Sequence, residues 1–281
     1  MKYLVVGANG QLGQELVHML DNMELDFVAF DSKSLDITNR DLVQKVFTAE
    51  QPDVILDAAA YTKVDDAEDI GKELNWAVNA DGSKNLADAA HEIDATLVFV
   101  STDYVFAGTK DGAFSETDEV NPQNEYGRSK LAGERFITES GVKHYIVRTS
   151  WVFGEYGNNF VYTMRKLGKK LDKLTVVNDQ KGRPTWTNTL ADFMLHLVSV
   201  EAEQGIYNLS NDGEATWYEF AKEILRDEDV DVQPVGSDQF PTKAYRPTNS
   251  MLDLSKAKNT GFDIMDWKTA LHAFEKSIDD E

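Results

Sequence analysis

The chain has 281 residues, 42% hydrophobic and 27% charged, ordinary for a folded globular protein and enough to bury one large core or two modest ones. Its 28 basic and 49 acidic residues give a net charge of −21, which repels nucleic acid and anionic membranes and excludes phosphate-backbone binding as a main task. Cysteine is absent, which excludes disulfides, thiolate metal sites and a cysteine nucleophile, and no apolar run approaches the roughly 20 residues of a membrane span.

Taken in order, the run "YLVVGA" at 3–8 predicts a buried strand, and the segment 11–20 predicts a helix with Leu12, Leu16 and Leu20 on one face. Between them "VVGANGQLG" places Gly7, Gly10 and Gly13 in a G-x-x-G-x-x-G spacing. The first glycine permits a sharp turn, the second lets backbone approach a pyrophosphate, and the third lets helix pack on strand. The helix start then offers free amides and a positive dipole end, so the predicted ligand is a dinucleotide.

The run 26–31 predicts a second strand ending in Asp31. An acid there accepts from adenosine ribose hydroxyls and disfavours a 2′-phosphate, or it merely caps the strand end. Ser32 and Lys33 follow it and can accept a phosphate, so NADH and NADPH both stay open. In "SLDIT", Asp36 and Ile37 either flank an adenine or, for Asp36, cap the helix that starts near 39. A third strand over 53–59 runs into "AAAYTKVD". There Ala58, Ala59 and Ala60 let a cofactor lie near the backbone, and Tyr61 and Thr62 stand where a nicotinamide ribose would be flanked.

A helix over 75–91 precedes a fourth strand, 95–101, which delivers Ser101, Thr102 and Asp103 at its carboxyl end. A helix over 126–139 carries Tyr126 and Lys130, one turn apart and therefore pointing the same way. That constellation suits carbonyl reduction. A phenol protonates the oxygen of a ketone as hydride reaches its carbon, an ammonium lowers a phenol pKa that is ordinarily about 10, and a hydroxyl from Thr102 or Ser101 holds the oxygen in line. A fifth strand follows at 144–148.

Strands alternating with helices predict an α/β protein with a doubly wound parallel (Rossmann-like) sheet, its strands continuously apolar because both faces are covered. After about 150 the pattern loosens into aromatic-rich loops, predicting a smaller α/β substrate-binding region over the carboxyl edge of the sheet. Residues 1–150 would form the dinucleotide-binding domain. Residues 151–281 would mainly bind substrate, with segments near 174–204 and 241–258 returning to the first domain and 174–179 a further strand of the first sheet. Trp217 and Tyr218 sit at helical spacing with Phe220 and Ala221 and read as core.

The segments "GANGQLG", "AAAYTKVDDAE", "STDYVFAG", "NPQNEYGRSKLAGE", "RTSWVFGEYGNNF", "VVNDQKGRPT" and "RPTNSMLD" resemble the extended short-chain dehydrogenase/reductase family, and within it the reductases of dTDP-linked 4-keto sugars. The resemblance implies reduction of the C4 ketone of dTDP-4-dehydro-β-L-rhamnose by NADPH or NADH in the cytoplasm, by a monomer or homodimer. It makes Tyr126 the proton donor, Lys130 its tuner and a ligand of the nicotinamide ribose, and Thr102 the hydroxyl on the substrate oxygen. It places Asp103 and Trp151 on the sugar and Gly10, Gln11 and Leu12 on the pyrophosphate. Asp31, Asp36 and Ile37 fall around the adenosine, and Ala60, Tyr61 and Thr62 around the middle of the cofactor. Asn159 and Phe160 would meet the nucleotide. Arg183 and Arg246 would bind the diphosphate as forked donors or else form surface salt bridges. Some family members hold a divalent metal between glutamates. Glu15 matches one of them, but "TWTNTLAD" offers no partner, so no metal is expected and Glu15 is read as a solvated helix residue. The alternatives are a nucleotide-sugar epimerase on the same scaffold and a non-catalytic, dinucleotide-binding regulatory subunit.

Overall fold

The computed structural model describes residues 1–279. In chain order the elements of the first part are β1 (Lys2–Val6), α1 (Gln11–Asn22), β2 (Asp26–Phe30), α2 (Arg40–Glu50), β3 (Val54–Asp57), α3 (Lys72–Trp76), α4 (Ser83–Glu92), β4 (Thr96–Thr102), α5 (Glu125–Ser140) and β5 (Lys143–Thr149). There follow β6 (Val152–Phe153), α6 (Phe160–Gly168), β7 (Lys173–Val177), β8 (Lys181–Gly182), β9 (Thr185–Trp186), α7 (Thr187–Ser199) and β10 (Gly205–Asn208). The last are β11 (Ala215–Thr216), α8 (Trp217–Ile224), β12 (Asp231–Val235), α9 (Ser255–Lys258) and α10 (Trp267–Asp279).

Six strands form one parallel sheet in the order β10-β5-β4-β3-β1-β2. Its strands are apolar on both faces because alternate side chains enter two different cores. Tyr3 and Val5 of β1 join Leu12, Leu16 and Leu20 of α1 and the apolar face of α7, while Leu4 and Val6 join Val43 and Phe47 of α2, Leu86 of α4 and Ile137 of α5. The strand order reverses at β1, which pairs with β2 on one side and β3 on the other. A crevice therefore opens beyond their carboxyl ends, where doubly wound folds bind ligands.

A third core, around Phe153, Met164, Trp186, Phe220, Leu271 and Phe274, lies in the later part of the chain. The strand expected at 174–179 forms as β7, but it pairs with β12 in a two-stranded sheet of its own and does not join the first sheet. The sixth strand of that sheet is instead β10, a short edge strand for which the sequence carries little local signal. Leu252, Leu254 and Ala257 join the core beneath α1 and α7.

The helix expected over 75–91 forms as one unbroken helical run that begins earlier, at Lys72, with a π-helical turn, Ala77–Gly82, between α3 and α4. Its buried Asn79 accepts from the Tyr61 amide (2.9 Å) and donates to the Tyr61 carbonyl (3.0 Å), so the irregular turn fixes the backbone of the loop after β3. Among the described residues, no helix is long and apolar enough to cross a membrane.

Candidate active site

At the amino end of α1, Gly7 adopts φ +76° and Gly10 is the extended N-cap residue, without a side-chain cap. A Cβ at Gly13 would lie 2.1 Å from the Gly7 carbonyl oxygen, so only glycine lets the helix sit this close to the turn. The first amides of the helix are left for an anion. From this turn a groove of about 570 Å³ runs along the carboxyl ends of β1 and β3, lined by Gly7, Gly10, Asp36, Ile37, Ala60 and Tyr61. Thr62 is exposed just beyond it. Glycine loop, small-residue wall and free helix start together fit a dinucleotide.

Two residues near the turn face elsewhere. Leu12 is buried in the core under α1, so only its backbone is available to a phosphate. The Gln11 side chain donates to the Val152 carbonyl (3.5 Å) and accepts from Asn159 (2.9 Å), tying α1 to the start of the later region.

Asp31 stands at the rim with both oxygens engaged. Oδ1 accepts from the Ser34 hydroxyl (2.7 Å), the Ser34 amide (2.9 Å) and the Lys33 amide (3.1 Å), and Oδ2 accepts from Asn9 (2.7 Å). The Ser34 bonds are the main reason its carboxyl is held below the usual range. Asp36 does not cap α2: it accepts from the amide and hydroxyl of Thr38, while Asn39 caps the helix through the Leu42 amide. Ile37 is buried against the α2–α4 core and presents one edge to the groove.

At the carboxyl end of β4, successive residues separate two hydroxyls. Ser101 donates to Glu134 (2.5 Å) within a buried network, so it is committed to structure. Thr102 turns to the crevice, donating to Asp103 Oδ1 (3.0 Å) and accepting from the Tyr104 amide (3.2 Å). Burial pushes Asp103 up to about 7, opposed by hydrogen bonding from Ser250 and Thr102, and its Oδ2 has no hydrogen-bond partner among the described residues. Burial also raises the Tyr126 phenol, helped by the Asp103 and Tyr104 charges and countered by a hydrogen bond with Thr102. Tyr104 packs edge-on against Tyr126, centroids 6.1 Å apart, and is itself pushed to about 12, chiefly by burial.

One turn along α5, Lys130 is buried and brought down to about 8, with Asp57 and Glu134 opposing the shift. Its ammonium lies over the Phe99 ring, 3.9 Å from the centroid. The charges acting on Tyr126 come from Asp103 and Tyr104, so in this state the fold favours the neutral phenol.

The later region supplies a wall. Trp151 adopts φ +48°, a strained conformation for a bulky residue, and lies flat on Trp217 with centroids 3.6 Å apart. A Cβ at Gly182 would be 2.6 Å from the Trp151 indole, so the absence of a side chain there makes room for it. Trp217, read as core from its spacing, is half-buried and serves as the platform under Trp151. Phe160 packs on Trp217 and Phe220, and Asn159 caps α6 through the Tyr162 amide (3.2 Å). Arg246 pairs with Asp65 (3.0 Å), lies over the Tyr104 ring at 5.7 Å, and keeps a buried Nη1 with no hydrogen-bond partner among the described residues. Arg183 sits among Asp212, Asp253 and Glu214, 3.7 Å from Asp212, and burial lowers its pKa.

Glu15 is not solvated. It is 3% exposed and accepts from Thr187 (3.1 Å) and Asn188 (3.0 Å) at the start of α7. Burial raises its pKa, with the Glu155 charge adding to the effect. Among the described residues, no cluster of three or more His, Asp or Glu could hold a metal ion. A raised carboxyl pKa means the folded chain keeps a proton that the unfolded chain has released, so stability is lost as pH rises through the folded value. Glu15→Gln should therefore flatten the decline of melting temperature as pH rises above the ordinary glutamate value. An unchanged slope would show that Glu15 does not titrate in this window.

The sequence matches the family model of the RmlD substrate binding domain over residues 1–279. A dTDP-4-dehydrorhamnose reductase of Aggregatibacter actinomycetemcomitans is 41% identical, the alignment covering 96% of this chain and 97% of the relative. The crystal structure of a dTDP-4-dehydrorhamnose reductase from Clostridium acetobutylicum superposes with TM-score 0.96 at 42% identity, covering 99% of this chain and 100% of that one. That of the Bacillus anthracis dTDP-4-dehydrorhamnose reductase in complex with NADP superposes with TM-score 0.95 at 41% identity, covering 98% and 99%.

Proposed function

The chain belongs to the RmlD substrate binding domain family, and on that premise we propose that it reduces the C4 ketone of dTDP-4-dehydro-β-L-rhamnose to dTDP-L-rhamnose with NADPH or NADH. The observation that carries the reading is the meeting of Thr102, Asp103 and Tyr126 at the carboxyl end of β4, with Lys130 one turn along α5. The same reading makes residues 1–150 the dinucleotide-binding part and 151–281 mainly the substrate-binding part, which the separate third core supports.

The dinucleotide, when bound, supplies the hydride. The rest falls to the chain. Thr102 donates to the ketone oxygen and holds it in line with the Tyr126 phenol, which delivers its proton as negative charge develops there. The Thr102 proton, donated to Asp103 in the free chain, turns to the ketone oxygen when substrate binds. Lys130 offers its ammonium to ribose hydroxyls. Trp151 closes over the sugar, and Arg246, paired with the single carboxylate of Asp65, is the favoured diphosphate ligand. Arg183 is the weaker candidate, since three carboxylates already surround it.

The test is absorbance at the nicotinamide band during incubation with dTDP-4-dehydrorhamnose, NADH and NADPH side by side. Steady oxidation with formation of dTDP-rhamnose is expected; none, with cofactor binding shown separately, would leave the epimerase or the non-catalytic subunit. In the same assay Asp31→Ala should weaken NADH more than NADPH, because the acid accepts from ribose hydroxyls and repels a 2′-phosphate. Equal losses would mean that Asp31 serves only the 31–34 turn.

A further inference from the structure

Lys130 presents a problem of charge. Its side chain is 1% exposed, and an ammonium buried without a counter-ion loses its proton rather than remain charged. The obvious anion, Glu134, is one turn further along α5, but its carboxylate is spent. It receives Arg148 Nε (2.9 Å) and Nη2 (2.7 Å) and the Ser101 hydroxyl (2.5 Å). Arg148 rises from β5 and cancels that charge.

The remaining anion comes from β3. Asp57 is paired in register with Phe99 of β4, the residue whose ring carries the Lys130 ammonium. Neighbours in register on parallel strands project to the same face, so Asp57, Phe99 and Lys130 share one pocket beneath α5. Asp57 is 1% exposed; its Oδ1 accepts from the Ala59 amide (3.0 Å), and its Oδ2 is buried with no hydrogen-bond partner among the described residues. The pocket thus holds two cations, Lys130 and Arg148, and two carboxylates, Glu134 and Asp57. Tyr126, the other titratable side chain on this face of α5, is neutral. Removing Asp57 would leave one positive charge uncompensated.

We propose that Asp57 is the counter-charge that keeps Lys130 an ammonium at neutral pH, and hence a positioning residue for the reaction that acts through Lys130. The pKa values agree in direction. Asp57 is pushed to about 6 by burial, with Lys130 pulling it back, and Lys130 is pushed to about 8 by burial, with Asp57 foremost and Glu134 after it pulling it back. The Ala59 amide that Asp57 fixes belongs to the groove wall, so one carboxylate sets both the wall and the charge beside it.

The catalytic part of this inference rests on the proposed function; the electrostatic part does not, and the experiment separates them. Lysine Cε is labelled with ¹³C in the whole chain, and the Lys130 signal is assigned by its loss in Lys130→Met. In the unsubstituted protein it should titrate near pH 8. In Asp57→Asn the midpoint should fall by about one unit or more, and in Asp57→Glu it should recover. The alkaline limb of the pH profile of kcat/KM should move with it. An unchanged midpoint in Asp57→Asn overturns the proposal. Should that variant not fold, the reciprocal decides: the Asp57 carboxyl should titrate higher in Lys130→Met than with Lys130 present, and no change would overturn the proposal equally. If Lys130→Met leaves cofactor affinity and turnover intact, the catalytic reading of Lys130 fails while the Asp57–Lys130 coupling stands.

Discussion

Tyr126→Phe should lower turnover by about 10²- to 10⁴-fold while leaving dinucleotide affinity nearly unchanged. The ring stays: Phe retains the edge-on contact with Tyr104 and the packing under α5, so only the proton donor and its bond with Thr102 are lost. Steady-state nicotinamide oxidation and a separate fluorescence titration with NADH distinguish the two effects. Turnover within tenfold of the unsubstituted enzyme would remove Tyr126 from its role. The surroundings say what kind of donor it is. Burial and Asp103 raise its pKa, so the phenol stays protonated at neutral pH and is strengthened as an acid only by the charge that develops on the ketone. Asp103 is placed to modulate this, since its carboxyl, pushed to about 7, is partly neutral where the enzyme works. As pH rises Asp103 ionises and Tyr126 becomes a poorer acid, so kcat should fall on the alkaline side even with Lys130 fully charged.

The parts of this site that are legible in the sequence are those set by local chemistry. Gly7, Gly10 and Gly13 announce a turn whose geometry depends on missing side chains, and Tyr126 and Lys130 are neighbours by helical period alone. Where neighbours come from distant segments, the sequence is silent. Glu15 flanks the leucine stripe of α1, three residues from Leu12, and its charge makes it read as solvated, because nothing nearby reveals that Thr187 and Asn188 will cover it. Trp217 has core spacing and core contacts, but its exposed face becomes the platform for Trp151 only once β6 and α8 meet. The π turn at 77–82 has no local signature, and its Asn79 finds its partner, Tyr61, in a loop eighteen residues away. Asp57 is an acid at the end of an apolar strand, and nothing in the sequence singles it out. Its meaning depends on Phe99 beside it and Lys130 above it, which only the sheet register brings together. Ser101 and Thr102 are the instructive pair: equal as hydroxyls in sequence, they are separated by the alternation of a strand, one facing Glu134 and the other the crevice.

Arg148→Met should destabilise the fold by about 3–5 kcal/mol, the range for breaking a buried ion pair by removing one partner. Both members are almost wholly buried, 2% exposed for each residue, and the fork–fork geometry satisfies both Glu134 oxygens at once. Methionine fills part of the volume but leaves Glu134 as an uncompensated anion held only by Ser101. The cost should appear as a fall in melting temperature of about ten degrees. Replacing both partners, Arg148→Met with Glu134→Leu, should recover most of the loss, because desolvation of the two charges offsets much of their attraction. If the single variant melts within two or three degrees of the parent, the pair is not an uncompensated-charge problem at all. The single and double variants also bear on the active site. In Arg148→Met the freed Glu134 charge lies one turn from Lys130 and should raise the lysine pKa, whereas the double variant removes that anion and leaves Asp57 as its counter-charge. A stable double variant with near-normal cofactor affinity would show that the network anchors α5 on the sheet and that the ammonium is held from β3.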